Sequence, residues 1–196
     1  LDSVFAEKQM GRVILFCGRF IPVKNIDFVI ELASRMQDLQ DVTFLLVGDG
    51  PLLGIMQQKV QEQGLSNIVF LGFIPPEQLP PVFAMSEILL LPSLRESWGA
   101  VVNEALAAGI PVMVSSVAGA ADLVEHGKNG YIIDPHDIDR AEVLLRGYLA
   151  DDGLRQDMKG RAKITSARLS HEFAAELFAR VIQGRSVSRD REGRHA

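Results

Sequence analysis

The chain has 196 residues, of which 47% are hydrophobic and 23% are charged, and its formal net charge is −5. Since domains usually hold about 100–200 residues, this length predicts one domain with a sizeable core. The single cysteine, Cys17, excludes an internal disulfide framework and a cysteine-based zinc site. No uncharged apolar run has the roughly 18 residues of a membrane helix. The negative charge argues against a nucleic-acid partner.

Strand-like and helix-like segments alternate through most of the chain. Strands are predicted where short apolar runs occur, and helices where apolar residues recur with helical periodicity. In chain order we predict a strand over 13–17, a helix over 26–36 capped by Asn25, a strand over 42–47, a helix from Pro51 to about Gln63, a strand over 68–71, a short helix near 82–85, a strand over 88–91, an apolar helix over 99–108, and strands over 112–114 and 131–133.

Six buried strands alternating with helices predict an α/β fold with a doubly wound, parallel six-stranded sheet. After Asp134 the pattern changes to helices alone, over about 137–150, 153–168 and 170–184. Residues 185–196 are almost entirely polar and are predicted to form a disordered tail, because they cannot bury enough apolar surface.

The loop after the first strand carries two cations, Arg19 and Lys24. In open parallel sheets, ligands bind outside the carboxyl ends of the strands. Two cations at such an end suit a phosphate or a diphosphate. The alternative is that both are solvated surface charges.

The loop after the fourth predicted strand passes through Glu96 and Gly99 and leads directly into the apolar helix. A helix N-terminus at a strand end offers unpaired N–H groups to an anion. We expect Glu104 to be buried among the small apolar residues of this helix, where the two hydroxyls of a ribose would satisfy its carboxylate. The alternative is that Glu104 pairs with a structural lysine or arginine.

An acid-x-acid string at Asp137 and Asp139 is interpreted as the start of a helix, where aspartate is favoured. No other residue nearby completes a coordination shell, so we predict no metal site.

Two motifs together resemble the retaining glycosyltransferases of family 4, whose signature is a pair of glutamates separated by seven residues. Glu96 and Glu104 have this spacing, and Gly18-Arg19 with Lys24 resembles the diphosphate-binding loop of the same family. Weaker matches follow in the family's order over about residues 12–150, at 46–51, 69–72, 91–93 and 118–130.

The resemblance implies the carboxyl-terminal half of an enzyme with the GT-B fold, which has two Rossmann-like halves. This half binds the nucleoside diphosphate sugar, whereas a missing amino-terminal domain would hold the acceptor. Residues 1–10 would be the end of the interdomain linker, 11–184 the donor-binding domain and 185–196 the tail. The chain begins at Leu1 rather than Met, and we expect it to be a piece of a longer protein that binds donor without transferring it.

The resemblance also implies the site residues. Arg19 and Lys24 would neutralise the donor diphosphate, Glu96 would hold a hydroxyl of the transferred sugar, and Glu104 would hold the ribose. The backbone from Trp98 to Val101 would bind the phosphates, and that of Phe73 and Ile74 would contact the base. The complete set of expected donor contacts is Gly18, Arg19, Lys24, Gly48, Phe73, Ile74, Glu96, Ser97, Trp98, Gly99, Ala100, Val101 and Glu104.

The implied reaction uses no metal and no cofactor, because the nucleotide sugar is a substrate. The expected location is the cytoplasm, or the inner membrane surface if the missing domain attaches there; this part of the chain indicates no membrane contact. The expected role of the parent is the synthesis of a polysaccharide or a glycolipid.

The sequence departs from the family pattern at three positions: Ala118 replaces a common Gly, Asp122 a common Glu, and Trp98 a usual Phe. Two alternatives remain: half of a nucleotide-sugar 2-epimerase, which shares the architecture, and a non-catalytic nucleotide-binding module. The paired glutamates favour transfer over epimerisation. A receiver-like module would need acids where Gly18 and Arg19 stand.

Overall fold

A computed structural model describes residues 11–168 and contains one six-stranded parallel sheet. The strands are β1 (Arg12–Cys17), β2 (Val42–Val47), β3 (Ile68–Gly72), β4 (Ser86–Leu91), β5 (Val112–Ser115) and β6 (Gly130–Ile133). They are arranged in the order β3-β2-β1-β4-β5-β6, and every pair is parallel. The predicted doubly wound α/β fold is therefore confirmed.

Helices connect the strands. They are α1 (Ile26–Arg35), α2 (Leu53–Glu62), α3 (Leu79–Ala84), α4 (Ala100–Ala107), α5 (Ile138–Ala150) and α6 (Asp152–Arg168), with short 3₁₀ segments at Pro22–Lys24, Pro76–Gln78 and Gly119–Leu123. In the described part of the chain, no helix is both long and apolar enough to cross a membrane.

The sheet separates two apolar layers, because alternate residues of a strand point to opposite faces. From β1, Ile14 and Phe16 pack on one face with α1, α2 and α5, whereas Val13 and Leu15 pack on the other with α3 and α4. Burial on both faces explains why the strands are continuous apolar runs.

The position of β1 and β4 fixes the location of the site. These strands are neighbours in the sheet, but α1 after β1 packs on one face and α4 after β4 packs on the other. The carboxyl ends of β1 and β4 are therefore the point at which the chain connections change from one face of the sheet to the other, the usual place for a ligand in this fold.

Three local predictions differ from the structure. Asn25 stands before α1, but its side chain does not cap the helix. The helix after β2 starts at Leu53, because Pro51 and Leu52 form a turn after Gly50. The 3₁₀ segment Gly119–Leu123 was not predicted, because its five residues are too few to show a periodicity.

The apolar composition of the segment 99–108 predicts a helix that is buried on nearly all sides. Helix α4 is instead open on one side. Val102, Ala105 and Leu106 face the core, whereas Glu104, Ala107 and Ala108 are exposed. Small apolar side chains cost little when they face water, so an alanine-rich helix does not have to be enclosed. The predictions for 1–10, 170–184 and 185–196 lie outside the described residues.

Candidate functional site

The loops after β1 and β4 are joined at the carboxyl edge of the sheet. Leu94 donates its N–H to the carbonyl of Val23 over 2.8 Å. The Lys24 ammonium forms an ion pair with the Glu96 carboxylate, and these two side chains are only 18% and 15% exposed. Two predicted site residues that lie 72 positions apart are thus brought into contact.

The segment after β5 completes the surroundings of Glu96. Ala118 forms a parallel bridge with Glu96 and is buried, and Ser93 Oγ donates to Glu96 Oε2 over 3.4 Å. A Cβ on Gly119 would lie 2.5 Å from the carbonyl oxygen of Ser97, so the two backbones approach too closely for another residue.

Helix α4 begins beside this ion pair. Gly99 precedes it with a φ of 97°, in the left-handed region that favours glycine. The first hydrogen bond of the turn runs from Val102 N to Gly99 O over 2.9 Å, so the N–H groups of Ala100 and Val101 stand before it. The first turn contains no acidic residue that would occupy this positive end.

Two further predicted contacts flank the N-terminus of α4. Trp98 is 45% exposed, and its Nε1 donates to Asn103 Oδ1 over 2.9 Å. Ser97 is exposed. The loop therefore has its side chains outside the core, and its backbone beside Glu96.

A cavity of about 430 Å³ lies next to these loops, at the ends of β1, β2 and β3. This volume is in the range of small-molecule sites. Arg19 is exposed and has no ion pair among residues 11–165, so its guanidinium is available to an anion. The cavity is lined by Cys17, Gly18, Arg19, Val47, Gly48, Asp49, Gly50, Phe73, Ile74, Pro76 and Leu79.

The floor of the cavity depends on Gly48. Its φ is 133°, and a Cβ there would lie 1.9 Å from the carbonyl oxygen of Gly18. The backbone segments that follow β1 and β2 are therefore in direct contact at Gly18 and Gly48. Phe73, at the rim, is 69% exposed, whereas Ile74 is buried.

The charges of the site act on Cys17. Burial, and secondarily the negative charge of Glu104, raise the pKa of the Cys17 thiol to about 11, whereas Lys24 acts in the opposite direction. Lys24 lies next to the cavity wall, because a Cβ on Gly18 would be 3.9 Å from Lys24 Cε. Desolvation raises the pKa of Glu104 itself, although its side chain is exposed.

The expectation that Glu104 is buried is wrong, because the open side of α4 exposes it. The alternative of a structural partner is not found either: desolvation is the cause of its pKa shift, and no cation among the side chains of residues 11–165 pairs with it. An exposed carboxylate without a cationic partner can accept hydrogen bonds from a ligand.

The acid-x-acid string is a helix start, as interpreted. Asp137 caps α5 by accepting a hydrogen bond from Arg140 N over 2.9 Å. Within the part of the chain that the structure describes, no three His, Cys, Asp or Glu side chains are grouped so that they could hold a metal ion.

Sequence reasoning missed two side chains of the site. Cys17 belongs to the apolar run of β1, and only the end of the strand places it at the cavity. Asn25 was assigned to a helix cap, but its amide bridges two loops. An asparagine directly after the lysine was the available signal, since asparagine tolerates positive φ.

Known proteins resemble this chain over most of its length. The sequence model described as glycosyl transferases group 1 matches residues 2–165. The chain is 39% identical over 119 residues to a 2-deoxystreptamine glucosyltransferase of Streptomyces kanamyceticus, covering 60% of this chain and 31% of that protein. It is 29% identical over 164 residues to the N-acetyl-alpha-D-glucosaminyl L-malate synthase of Bacillus anthracis, covering 83% and 42%.

A solved structure is also similar. The crystal structure of Anabaena Alr3699/HepE in complex with UDP aligns with a TM-score of 0.77 and 25% identity, covering 89% of this chain and 49% of that one. The same protein in complex with UDP-glucose aligns with a TM-score of 0.74 and 26% identity, over the same shares of the two chains. The chain thus spans less than half the length of these relatives.

Proposed function

The chain belongs to the glycosyl transferases group 1 family, and we propose that it is the donor-binding half of a retaining glycosyltransferase. In this proposal a nucleoside diphosphate sugar binds at the carboxyl edge of the sheet, and an amino-terminal domain holds the acceptor. The relatives are about twice as long as this chain or longer, which supports a second domain in the parent protein.

One observation carries the proposal: the Lys24–Glu96 pair connects the cavity to the start of α4. A Cβ on Gly18, which lines the cavity together with Arg19, would lie 3.9 Å from Lys24 Cε, and a Cβ on Gly99 would lie 3.4 Å from Glu96 Cγ. The nucleoside would occupy the cavity, with Glu104 at the ribose. The diphosphate would lie between Arg19, Lys24 and the N–H groups of Ala100 and Val101, since cations and a helix N-terminus both bind phosphate.

These groups would also catalyse the transfer. Negative charge develops on the diphosphate oxygen as its bond to the sugar breaks, and fixed cations and N–H donors stabilise that charge more in the transition state than in the ground state. Loss of one such donor is expected to lower the rate by about 10²–10³-fold. The chemistry needs neither a metal nor a cofactor in this proposal.

Glu96 would then hold a hydroxyl of the transferred sugar. It shares the Lys24 ammonium and lies against the N-terminal turn of α4, so a sugar attached to the diphosphate would be within its reach. The proposal of retention rests on the spacing of Glu96 and Glu104, not on an observed product.

Calorimetric titration with UDP, GDP and ADP tests donor binding. UDP is the first candidate, because the similar Anabaena protein was crystallised with it. The test variant is Arg19→Ala/Lys24→Ala. Its control, Lys128→Ala/Arg161→Ala, removes the same charge near the amino end of β6, away from the cavity.

Binding of one nucleotide that is lost in the test variant and kept in the control supports the proposal. The emission of Trp98, the one tryptophan of the chain, gives a second readout at the start of α4. Equal loss in both variants would indicate a general charge effect and contradict the proposed site. Transfer of sugar by the purified 196-residue chain would refute the need for a second domain.

A further inference from the structure

We propose that Asn25 is a positioning residue: its side-chain amide holds the Lys24 loop in place for the diphosphate. The proposal rests on the proposed function for the identity of the ligand. Its structural half, the fixing of Lys24 by Asn25, can be tested without any ligand.

The backbone of Asn25 is unusual. Its φ is 56° and its ψ 47°, and no other non-glycine residue between 11 and 168 has a positive φ. The left-handed conformation brings Cβ close to a carbonyl oxygen, and asparagine is among the few residues that adopt it. The conformation turns the chain sharply between Lys24 and the start of α1.

The Asn25 side chain does not cap the helix that follows it. A cap would accept a hydrogen bond from the first turn of α1, and Asn25 makes none. Its Nδ2 instead donates to the carbonyl of Pro92 over 3.1 Å and to that of Pro135 over 3.0 Å. Both protons of the amide group are thus used between loops.

These two hydrogen bonds connect three loops at the carboxyl edge of the sheet. Pro92 follows β4 and leads to Glu96, Pro135 follows β6, and Asn25 itself ends the loop after β1. Both acceptors are carbonyl groups of proline, whose neighbouring backbone is stiff. The amide therefore connects the end of the Lys24 loop to the backbone of two other loops.

We expect the position of the Lys24 ammonium to depend on the two hydrogen bonds of the Asn25 amide. A lysine side chain has four rotatable bonds, so its ammonium is held in place only if its backbone is fixed and its partner is near. Apart from the hydrogen bond of the Asn25 amide to Pro92, the polar contacts between this loop and the loop after β4 are the Val23–Leu94 hydrogen bond and the Lys24–Glu96 ion pair. Without the amide, the ammonium would sample more positions and meet the diphosphate less often.

The variant Asn25→Gly separates the amide from the backbone conformation, because glycine adopts positive φ without strain. The matched control is Asn129→Gly. The Asn129 amide also bridges distant groups, Leu123 O over 3.0 Å and Thr165 Oγ1 over 2.9 Å, but near the amino end of β6. Asn25→Gly loses two hydrogen bonds at the site. Asn129→Gly loses three away from it, because Asn129 Oδ1 also accepts from Glu125 N over 2.8 Å, so the control is the more severe of the two changes.

The first measurement is acetylation of Lys24 by acetic anhydride, followed by mass spectrometry in the absence of nucleotide. Asn25→Gly is expected to weaken the Lys24–Glu96 ion pair and so to raise the acetylation rate of Lys24 about two- to tenfold. This range corresponds to the net free energy of one hydrogen bond. The rate should stay at the wild-type value in Asn129→Gly. An unchanged rate in Asn25→Gly overturns the proposal, whether or not the protein binds a nucleotide.

The second measurement is a double-mutant cycle on UDP affinity. Asn25→Gly is expected to weaken UDP binding about tenfold in the wild-type background and in Arg19→Ala, but to have little further effect in Lys24→Ala. A purely structural role would give the same loss in all three backgrounds and would overturn the proposal. Absence of UDP binding by the wild type would contradict UDP as the donor nucleotide, and the acetylation rate would still decide the role of Asn25.

Discussion

Gly48→Ala is expected to lower the free energy of unfolding by about 2–6 kcal/mol. Residues other than glycine pay about 1–3 kcal/mol at φ values such as the 133° of Gly48. The added Cβ would also lie 1.9 Å from the Gly18 carbonyl oxygen and 2.9 Å from its carbon. Both atoms belong to the backbone, so no rotamer change relieves the contact, and overpacking of this kind costs about 1–3 kcal/mol more.

Urea unfolding measures this loss, with Gly147→Ala as the matched control. Gly147 lies within α5, where an added Cβ meets no atom within 4 Å. There the substitution is expected to stabilise the protein by about 0.5–1 kcal/mol, the difference in helix propensity. Any displacement of Gly18 should also move Arg19, so UDP affinity should fall in Gly48→Ala under conditions where circular dichroism shows a folded protein.

A loss below about 1 kcal/mol in Gly48→Ala, with an unchanged m value, would refute this reasoning. It would mean that the segments leaving β1 and β2 can separate at little cost. The close contact between Gly18 and Gly48 would then not define the floor of the cavity.

Three further outcomes follow from the charges. Because the pKa of Cys17 is raised to about 11, about 0.1% of the thiol is ionised at pH 8, so its alkylation should be slow, should accelerate about tenfold per pH unit, and should slow further when UDP fills the cavity. Glu104→Gln should leave the melting temperature at pH 7 unchanged or raise it, since desolvation disfavours the carboxylate, yet weaken UDP binding. The wild type should gain stability relative to this variant as pH falls through the raised pKa. Asp38, whose pKa the Arg146 guanidinium lowers, stabilises the fold above its unfolded pKa, and this contribution is lost as pH falls through the lower folded value. Asp38→Asn should therefore lower the melting temperature at pH 6, and the difference from the wild type should shrink as pH falls through the lowered folded pKa of Asp38.

The sheet could be predicted closely because its signal is local. The strands other than the edge strand β3 are mostly buried on both faces, so each is a short apolar run between turns. The alternation with helices implies parallel strands with crossover connections. The strand bounds predicted from these runs differ from the observed ones by at most two residues, as at Ser86, where the apolar run begins after the strand does.

The site could be predicted only as a set of loops. The charges of Arg19, Lys24, Glu96 and Glu104 are visible in the sequence, and the fold rule places them at one edge of the sheet. The direct pairing of Lys24 with Glu96 was not predicted, because it depends on how two loops 72 residues apart are joined. The exposure of Glu104 was predicted wrongly, because the composition of α4 does not tell which of its sides is covered.

The sequence by itself determined the alternation of strands and helices, the chemistry of the loops and the family, because apolar periodicity and motif spacing are properties of the chain alone. The tertiary structure decided which of those loops touch. The left-handed turn at Asn25, the backbone contact of Gly18 with Gly48 and the open side of α4 all depend on segments that are distant in sequence. Each of these features is determined by contacts between loops or helices that are far apart in the sequence. Such contacts cannot be predicted from a local pattern of residues.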